Sequence, residues 1–203
     1  SMALGYAGLA MLGLQFALTA RFRRATAPFG IDIVYYFHRY LALLALALVL
    51  AHWLILRGTS PAALGTADPR AAAAHMTAGR LALALFLLVS ALSLARRALK
   101  LEYDRWRVLH AALASTGLAL ALWHVVGSGH YLDNPLKRAL WLAYGGFWLG
   151  LIAYVRLFRP WRVLRSPWLV TAVRPERGHV WTLELQPPPG QALRFAPGQF
   201  AWL

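Results

Sequence analysis

Apolar runs of roughly 18 to 22 residues, each about the length that crosses a hydrocarbon slab as α-helix, recur along the 203-residue chain. With 60% hydrophobic and 14% charged residues, the composition is that of a bilayer-embedded chain and not of a soluble globule. The runs predict an all-α membrane helical bundle of about five transmembrane helices, near 2–20, 36–56, 76–95, 107–126 and 139–158. No Asp or Glu falls within those limits, which argues against a carboxylate proton relay. The first run is not a cleaved leader, because it lacks a basic start and Arg21, Arg23 and Arg24 follow it. Ser1-Met2 reads as an appended start, which places the natural N-terminus upstream.

The net charge of +14 is distributed by helix end. Arg21, Arg23, Arg24 and Arg39 gather at one connection, Arg96, Arg97, Lys100, Arg105 and Arg107 at the next-but-one, and Arg156, Arg159, Arg162 and Arg165 after the fifth run. The opposite connections hold only Arg57, Arg70, Lys137 and Arg138. Cationic residues are retained on the cytoplasmic side, so the richer connections and the C-terminus are expected there, with the start of the first helix outside. No basic and aromatic stripe follows a soluble face, so nucleic acid is not an expected partner; the lipid bilayer is. A bacterial inner (plasma) membrane is the expected location.

From Trp161 the pattern changes. Arg159-Pro160-Trp161-Arg162 and Ser166-Pro167 are expected to break the helix. Alternating stretches at 168–173 and 179–185 flank a turn signal at 174–178, and a third strand-like stretch runs from Phe195 to Leu203. Three short strands cannot close a sheet with protected edges, so the segment is expected to be the start of an incomplete β-domain. The expected division is 1–160, a haem-binding transmembrane domain, and 161–203, a linker with the first strands of a second domain.

Four of the seven histidines lie in two of the apolar runs: His38 and His52 in the second, His110 and His124 in the fourth. Each pair is separated by 14 residues. Fourteen helical steps return the side chain to within about 40° of its starting direction and advance it about 21 Å, inside a slab of about 30 Å. One intervening span makes the two helices parallel, which sets His38 level with His110 and His52 level with His124. Facing imidazoles at one height supply both axial ligands of a haem iron. Two levels predict two stacked b-type haems: an inner one on His38 and His110, and an outer one on His52 and His124. The alternative is that each ring is an interhelical packing or interfacial histidine.

His75 and His179 carry no assigned role, and His130 is a candidate contact for an electron acceptor outside the membrane. Arg80, inside the third run, is a candidate for a haem propionate, since a guanidinium fork suits a carboxylate. Arg39 and Arg107 are weaker candidates, and Trp53 and Trp123 read as packing or lipid-belt residues. The chain has no cysteine, which excludes disulfides, Fe–S clusters, thiolate zinc sites and covalently attached haem. No Gly-rich phosphate loop or catalytic triad is present.

The stretch Tyr103 to His110, Tyr-Asp-Arg-Trp-Arg-Val-Leu-His, resembles the segment opening the second haem helix of the ferric reductase-like transmembrane family, which includes ferric reductases and NADPH oxidases. The His38–His52 spacing and His75 to Gly79 ahead of the third helix are similar too. Phe195 to Leu203, with Pro197, Gly198, Gln199 and Phe200, resembles the early barrel of ferredoxin-reductase-type FAD-binding domains. The resemblance implies a membrane oxidoreductase. NAD(P)H would reduce FAD in a cytoplasmic dehydrogenase domain, and electrons would pass through the haem on His38 and His110, then that on His52 and His124, to an outer acceptor. Ferric complexes, oxygen and quinones are the candidate acceptors. Family members often have six membrane helices against the five expected here, and the flavin and nicotinamide sites would follow residue 203. Leu56 stands where eukaryotic NADPH oxidases carry a histidine, which speaks against superoxide production. Two other readings are a haem subunit serving a separate protein, like the membrane partner of methionine sulfoxide reductase, and a non-redox membrane transporter.

Overall fold

The computed structural model describes residues 1–20, 30–190 and 192. Arg21, Arg23, Arg24 and the Phe195–Leu203 stretch with its Pro-Gly-Gln-Phe motif lie outside the described residues. The chain divides into two compact units, Ser1–Ala153 and Tyr154–Leu203.

The first unit is a bundle of α1 (Met2–Thr19), α2 (Gly30–Thr59), α3 (Ala74–Ala95), α4 (Tyr103–Ser128) and α5 (Pro135–Ala153). Five spans are long and apolar enough to cross a membrane: Met2–Thr19, Asp32–Thr59, Ala74–Ala95, Tyr103–Ser128 and Pro135–Arg165. The predicted all-α bundle is therefore what the chain forms. Several helices begin earlier than their apolar runs. The first turns of α2 and α4 take in Asp32 and Asp104, so these two helices do include carboxylates, at the N-terminal ends where negative charge offsets the helix dipole. Local chemistry sets other ends. Asn134 Oδ1 accepts the Leu136 N–H at 2.9 Å ahead of α5, with Pro135 beginning the helix. Gly129, at φ 65°, terminates α4 in the left-handed conformation that costs glycine least.

Two antiparallel helix pairs, α1 with α2 and α3 with α4, form the body of the bundle. Close approach depends on small residues. A Cβ on Gly8 would meet Val49 Cγ2 at 2.7 Å, and one on Gly117 would meet the Phe86 ring at 2.9 Å. Gly13 lies against Tyr144 and Trp148 of α5, and the Tyr144 hydroxyl donates to the Ala10 carbonyl at 2.5 Å. In lipid the hydrophobic effect does not drive helices together, so such contacts and interhelical hydrogen bonds carry the association. Two buried clusters result, Leu9, Leu118, Leu122 and Trp148, and Leu12, Ala45, Ala82 and Phe86. Large apolar side chains such as Phe37, Leu140 and Phe147 point outward, as suits a lipid surround.

In the second unit a π-helical segment, Tyr154–Phe158, precedes α6 (Arg159–Arg165). The expected break at Arg159-Pro160 does not occur. Pro160 follows directly on the π-helical segment, the helical run continues through it, and it stops only at Ser166-Pro167. Strands β1 (Leu169–Pro175) and β2 (Trp181–Gln186) pair antiparallel from Leu169↔Gln186 to Pro175↔Trp181, with an irregularity between Val170 and Ala172. The turn closes through Glu176 N–H to Val180 O at 2.8 Å, with Gly178 and His179 both at positive φ.

The Gly117–Phe86 approach yields a direct test. Gly117→Val forces the Phe86 ring out of its seat and should lower stability by about 1–3 kcal/mol, read by thermal unfolding in detergent. Adding Phe86→Leu to that variant should return part of the loss.

Candidate functional site

The α3–α4 seam repeats every seven residues, two helical turns, in opposite directions on the two helices. Gly79 faces His124, Phe86 faces Gly117, and Ser93 faces His110. A small residue therefore lies opposite a ring at each step, and two of the rings are imidazoles.

His38 and His110 meet across the bundle at one level, with ring centres 6.1 Å apart and planes at 64°. An imidazole nitrogen binds a first-row metal at about 2 Å and the ring centre lies about 1 Å further back, so two rings on opposite sides of one metal have centres about 6 Å apart. The hydrogen on His110 can be placed by accounting. Ser93 Oγ donates to the Val89 carbonyl at 2.6 Å, which uses its only hydrogen. Its 3.0 Å contact with His110 Nδ1 must then be donated by the imidazole, leaving Nε2 as the lone-pair nitrogen. Trp106 packs against His110 at 5.1 Å, and Arg96 lies over the Trp106 ring at 5.5 Å. His38 Nδ1 is buried without a hydrogen-bond partner among the described residues.

At the other level His52 and His124 both line a cavity of about 810 Å³. Gly79, Arg80, Phe86, His75 and His130 share its wall, and its size falls in the range of small-molecule and cofactor sites. Both rings are set by the same device. The His124 ring lies over Gly79, where a Cβ would come within 2.7 Å, and its Nδ1 is 3.0 Å from the carbonyl of His75, four residues before that glycine. The His52 ring lies over Gly5, where a Cβ would come within 3.1 Å, and its Nδ1 is 3.0 Å from the carbonyl of Ser1, again four residues earlier. A carbonyl can only accept, so both rings carry hydrogen on Nδ1 and offer Nε2 as a base.

A family model for the ferric reductase like transmembrane component matches residues 4–121. The chain belongs to this family. The match takes in His38, His52 and His110 and ends just before His124. No curated protein matches the chain in sequence. Membership in the ferric reductase-like family suggests transmembrane electron transfer and an oxidoreductase role.

The structure brings His38 to His110 and sets His52 and His124 on one cavity. It also adds residues the sequence reasoning passed over. His75, assigned no role, supplies the carbonyl that orients His124, and its own ring stands 6.4 Å from that of His124. Ser93, Gly5 and Gly79 were not singled out as site residues, although Gly79 and Ser93 are themselves 14 residues apart, like the histidines they face. Arg80 lines the cavity but spends a guanidinium N–H on the Leu64 carbonyl at 2.6 Å, tethering the 3₁₀ turn Pro61–Leu64. Arg107 pairs with Asp104 at 3.3 Å, Arg39 lies over Tyr40, and Arg57 lies over Trp53. His130 is exposed at the cavity rim and its carbonyl accepts from the Tyr6 hydroxyl at 2.5 Å. His179 lies in the β-turn of the second unit. Among the described residues no three or more His, Asp or Glu side chains converge.

The Arg80 tether makes a measurable claim about the connection it holds. Arg80→Ala should raise the rate of tryptic cleavage after the exposed Arg70 by about tenfold, the worth of a charge-assisted hydrogen bond of about 1.5 kcal/mol. An unchanged cleavage rate removes the tether.

Proposed function

We propose that this chain is the membrane-spanning segment of an oxidoreductase and holds two b-type haems, one between His38 and His110 and one between His52 and His124. The observation that carries the reading is the 6.1 Å separation of the His38 and His110 rings, the spacing of two axial ligands on one metal. A haem, when bound, supplies one-electron chemistry, and two of them about 21 Å apart along the helices divide the width of the bilayer into shorter steps.

The rest is done by the chain's own residues. Ser93, the His75 carbonyl and the Ser1 carbonyl fix hydrogen on Nδ1 of His110, His124 and His52, which turns each Nε2 outward as a ligand and raises its basicity. Gly5 and Gly79 leave the room that the imidazoles occupy. Arg80 is the nearest candidate for a propionate at the cavity wall, and it would have to share its guanidinium with the Leu64 carbonyl.

The placement of arginines supports an orientation with His38 and His110 toward the cytoplasm and the C-terminal segment on that side. In this reading a flavin and NAD(P)H dehydrogenase domain, begun by the strands after Trp161 and the Pro197-Gly198-Gln199-Phe200 motif, delivers electrons from within. A ferric complex, oxygen or a quinone receives them outside, at the cavity end. The proposed division of labour is 1–160 for the haems and 161–203 for the start of the FAD-binding domain.

The test is a pyridine haemochrome assay on the purified chain. About two haems b per chain are expected, and His110→Ala should bring this to about one while the remaining haem is still reduced by dithionite. A colourless preparation returns the histidines to packing roles, and retention of both haems by the variant breaks the pairing.

A further inference from the structure

The two antiparallel helix pairs of the bundle repeat one pattern. On α3 and α4 the successive steps are Gly79 with His124, Phe86 with Gly117 and Ser93 with His110. On α1 and α2, Gly5 lies against His52 and Gly8 against Val49, partners whose numbers rise on one helix as they fall on the other. Seven residues past Gly5 the same count sets Leu12 with Ala45, which share one buried cluster with Ala82 and Phe86. Seven residues further it sets Thr19 with His38. Both seams thus read glycine with imidazole, large with small, hydroxyl with imidazole.

Thr19 and Ser93 also hold their hydroxyls alike. Thr19 Oγ1 donates to the Gln15 carbonyl four residues back at 3.1 Å, as Ser93 Oγ does to Val89 at 2.6 Å. With its hydrogen so used, each oxygen has only acceptor capacity left. On α3 that acceptor takes the His110 N–H. On α2 the corresponding nitrogen, His38 Nδ1, is buried and has no partner among the described residues. A buried imidazole N–H left unpaired is a departure that a haem ligand, whose other nitrogen is bound to metal, does not escape by changing tautomer.

We infer that Thr19 is the positioning residue of His38, its Oγ1 accepting the Nδ1 hydrogen in the haem-loaded protein as Ser93 accepts that of His110. This rests on the reading that His38 and His110 take one iron between them. The haem at that level is then tuned by two side-chain hydroxyls, one behind each ligand. Accepting the Nδ1 hydrogen makes the imidazole a stronger donor and favours ferric iron, so removing either hydroxyl must raise the midpoint potential of that one haem.

The experiment uses the full haem-loaded chain in detergent, with haem content, redox titration and low-temperature EPR of Thr19→Val, Thr19→Ser and Ser93→Ala. Thr19→Val should keep about two haems and shift one ferric-to-ferrous equilibrium by about tenfold, about 59 mV for a one-electron couple, toward the ferrous form. The haem that moves must be the one absent from His110→Ala, Ser93→Ala must move the same one, and Thr19→Ser must restore the wild-type potential and g-values. If Thr19→Val gives no folded protein, Thr19→Ala removes the same oxygen without bulk in a residue that favours helix, and carries the test. Potentials and g-values unmoved by the loss of the hydroxyl overturn the assignment, as does a shift confined to the other haem. A wild-type chain without haem overturns the haem reading itself, which the haem content reports separately from the potentials.

Discussion

A histidine among lipid-facing helices needs an acceptor for its N–H and space for its ring, and for His52, His110 and His124 neighbouring helices provide both. An unpaired imidazole N–H in an apolar setting costs on the order of 1–3 kcal/mol. The α3–α4 seam answers with a two-turn repeat that faces each ring with a small residue. Shift that seam by one residue and the Ser93–His110 hydrogen bond, the Gly79 seat of His124 and the Phe86–Gly117 contact are all lost together. The register between helices is therefore what holds the site, more than any one contact within it.

That dependence explains what could be read from the chain before its fold. Helix number followed from the length of the apolar runs, because the bilayer sets that length from outside the protein. The histidine levels followed from a spacing of 14, because facing on one helix is a property of local geometry alone. Gly5, Gly79, Ser93 and the His75 carbonyl were harder to see, since their meaning arises only when an antiparallel neighbour is laid beside them in one register. Glycine and serine in apolar helices are ordinary packing residues. Their own spacing of 14 carried the signal, but only in comparison with the histidines of the next helix. Pro160 shows the opposite case: a residue that breaks regular helix interiors follows a π-helical turn here, and the helical run continues through it.

The same register ties the site to the charged connection at one end of the bundle. Arg96, at the end of α3, stacks over Tyr103 and Trp106 at the start of α4, and Trp106 in turn packs against His110. The Arg96 guanidinium thus closes the turn between the helices and backs, through Trp106, the His110 imidazole, a stacking use open to guanidinium more than to ammonium. Arg80 plays a comparable part at the other end, where it pins the Pro61–Leu64 turn at the cavity wall.

The two levels differ in what receives the imidazole hydrogen. At His52 and His124 it is a main-chain carbonyl, already engaged in the first turn of its helix and exposed to the ring only because glycine follows four residues on. At His110 it is a side-chain hydroxyl. A carbonyl cannot be exchanged by substitution, so the cavity level can vary only by filling or moving the glycine seat, which displaces the whole ring. A hydroxyl can be lost, kept or altered while the helices stay where they are. The level of His38 and His110 is therefore the one whose imidazole basicity the sequence can adjust without rebuilding the bundle, and the cavity level is the one whose imidazoles are held by the backbone itself.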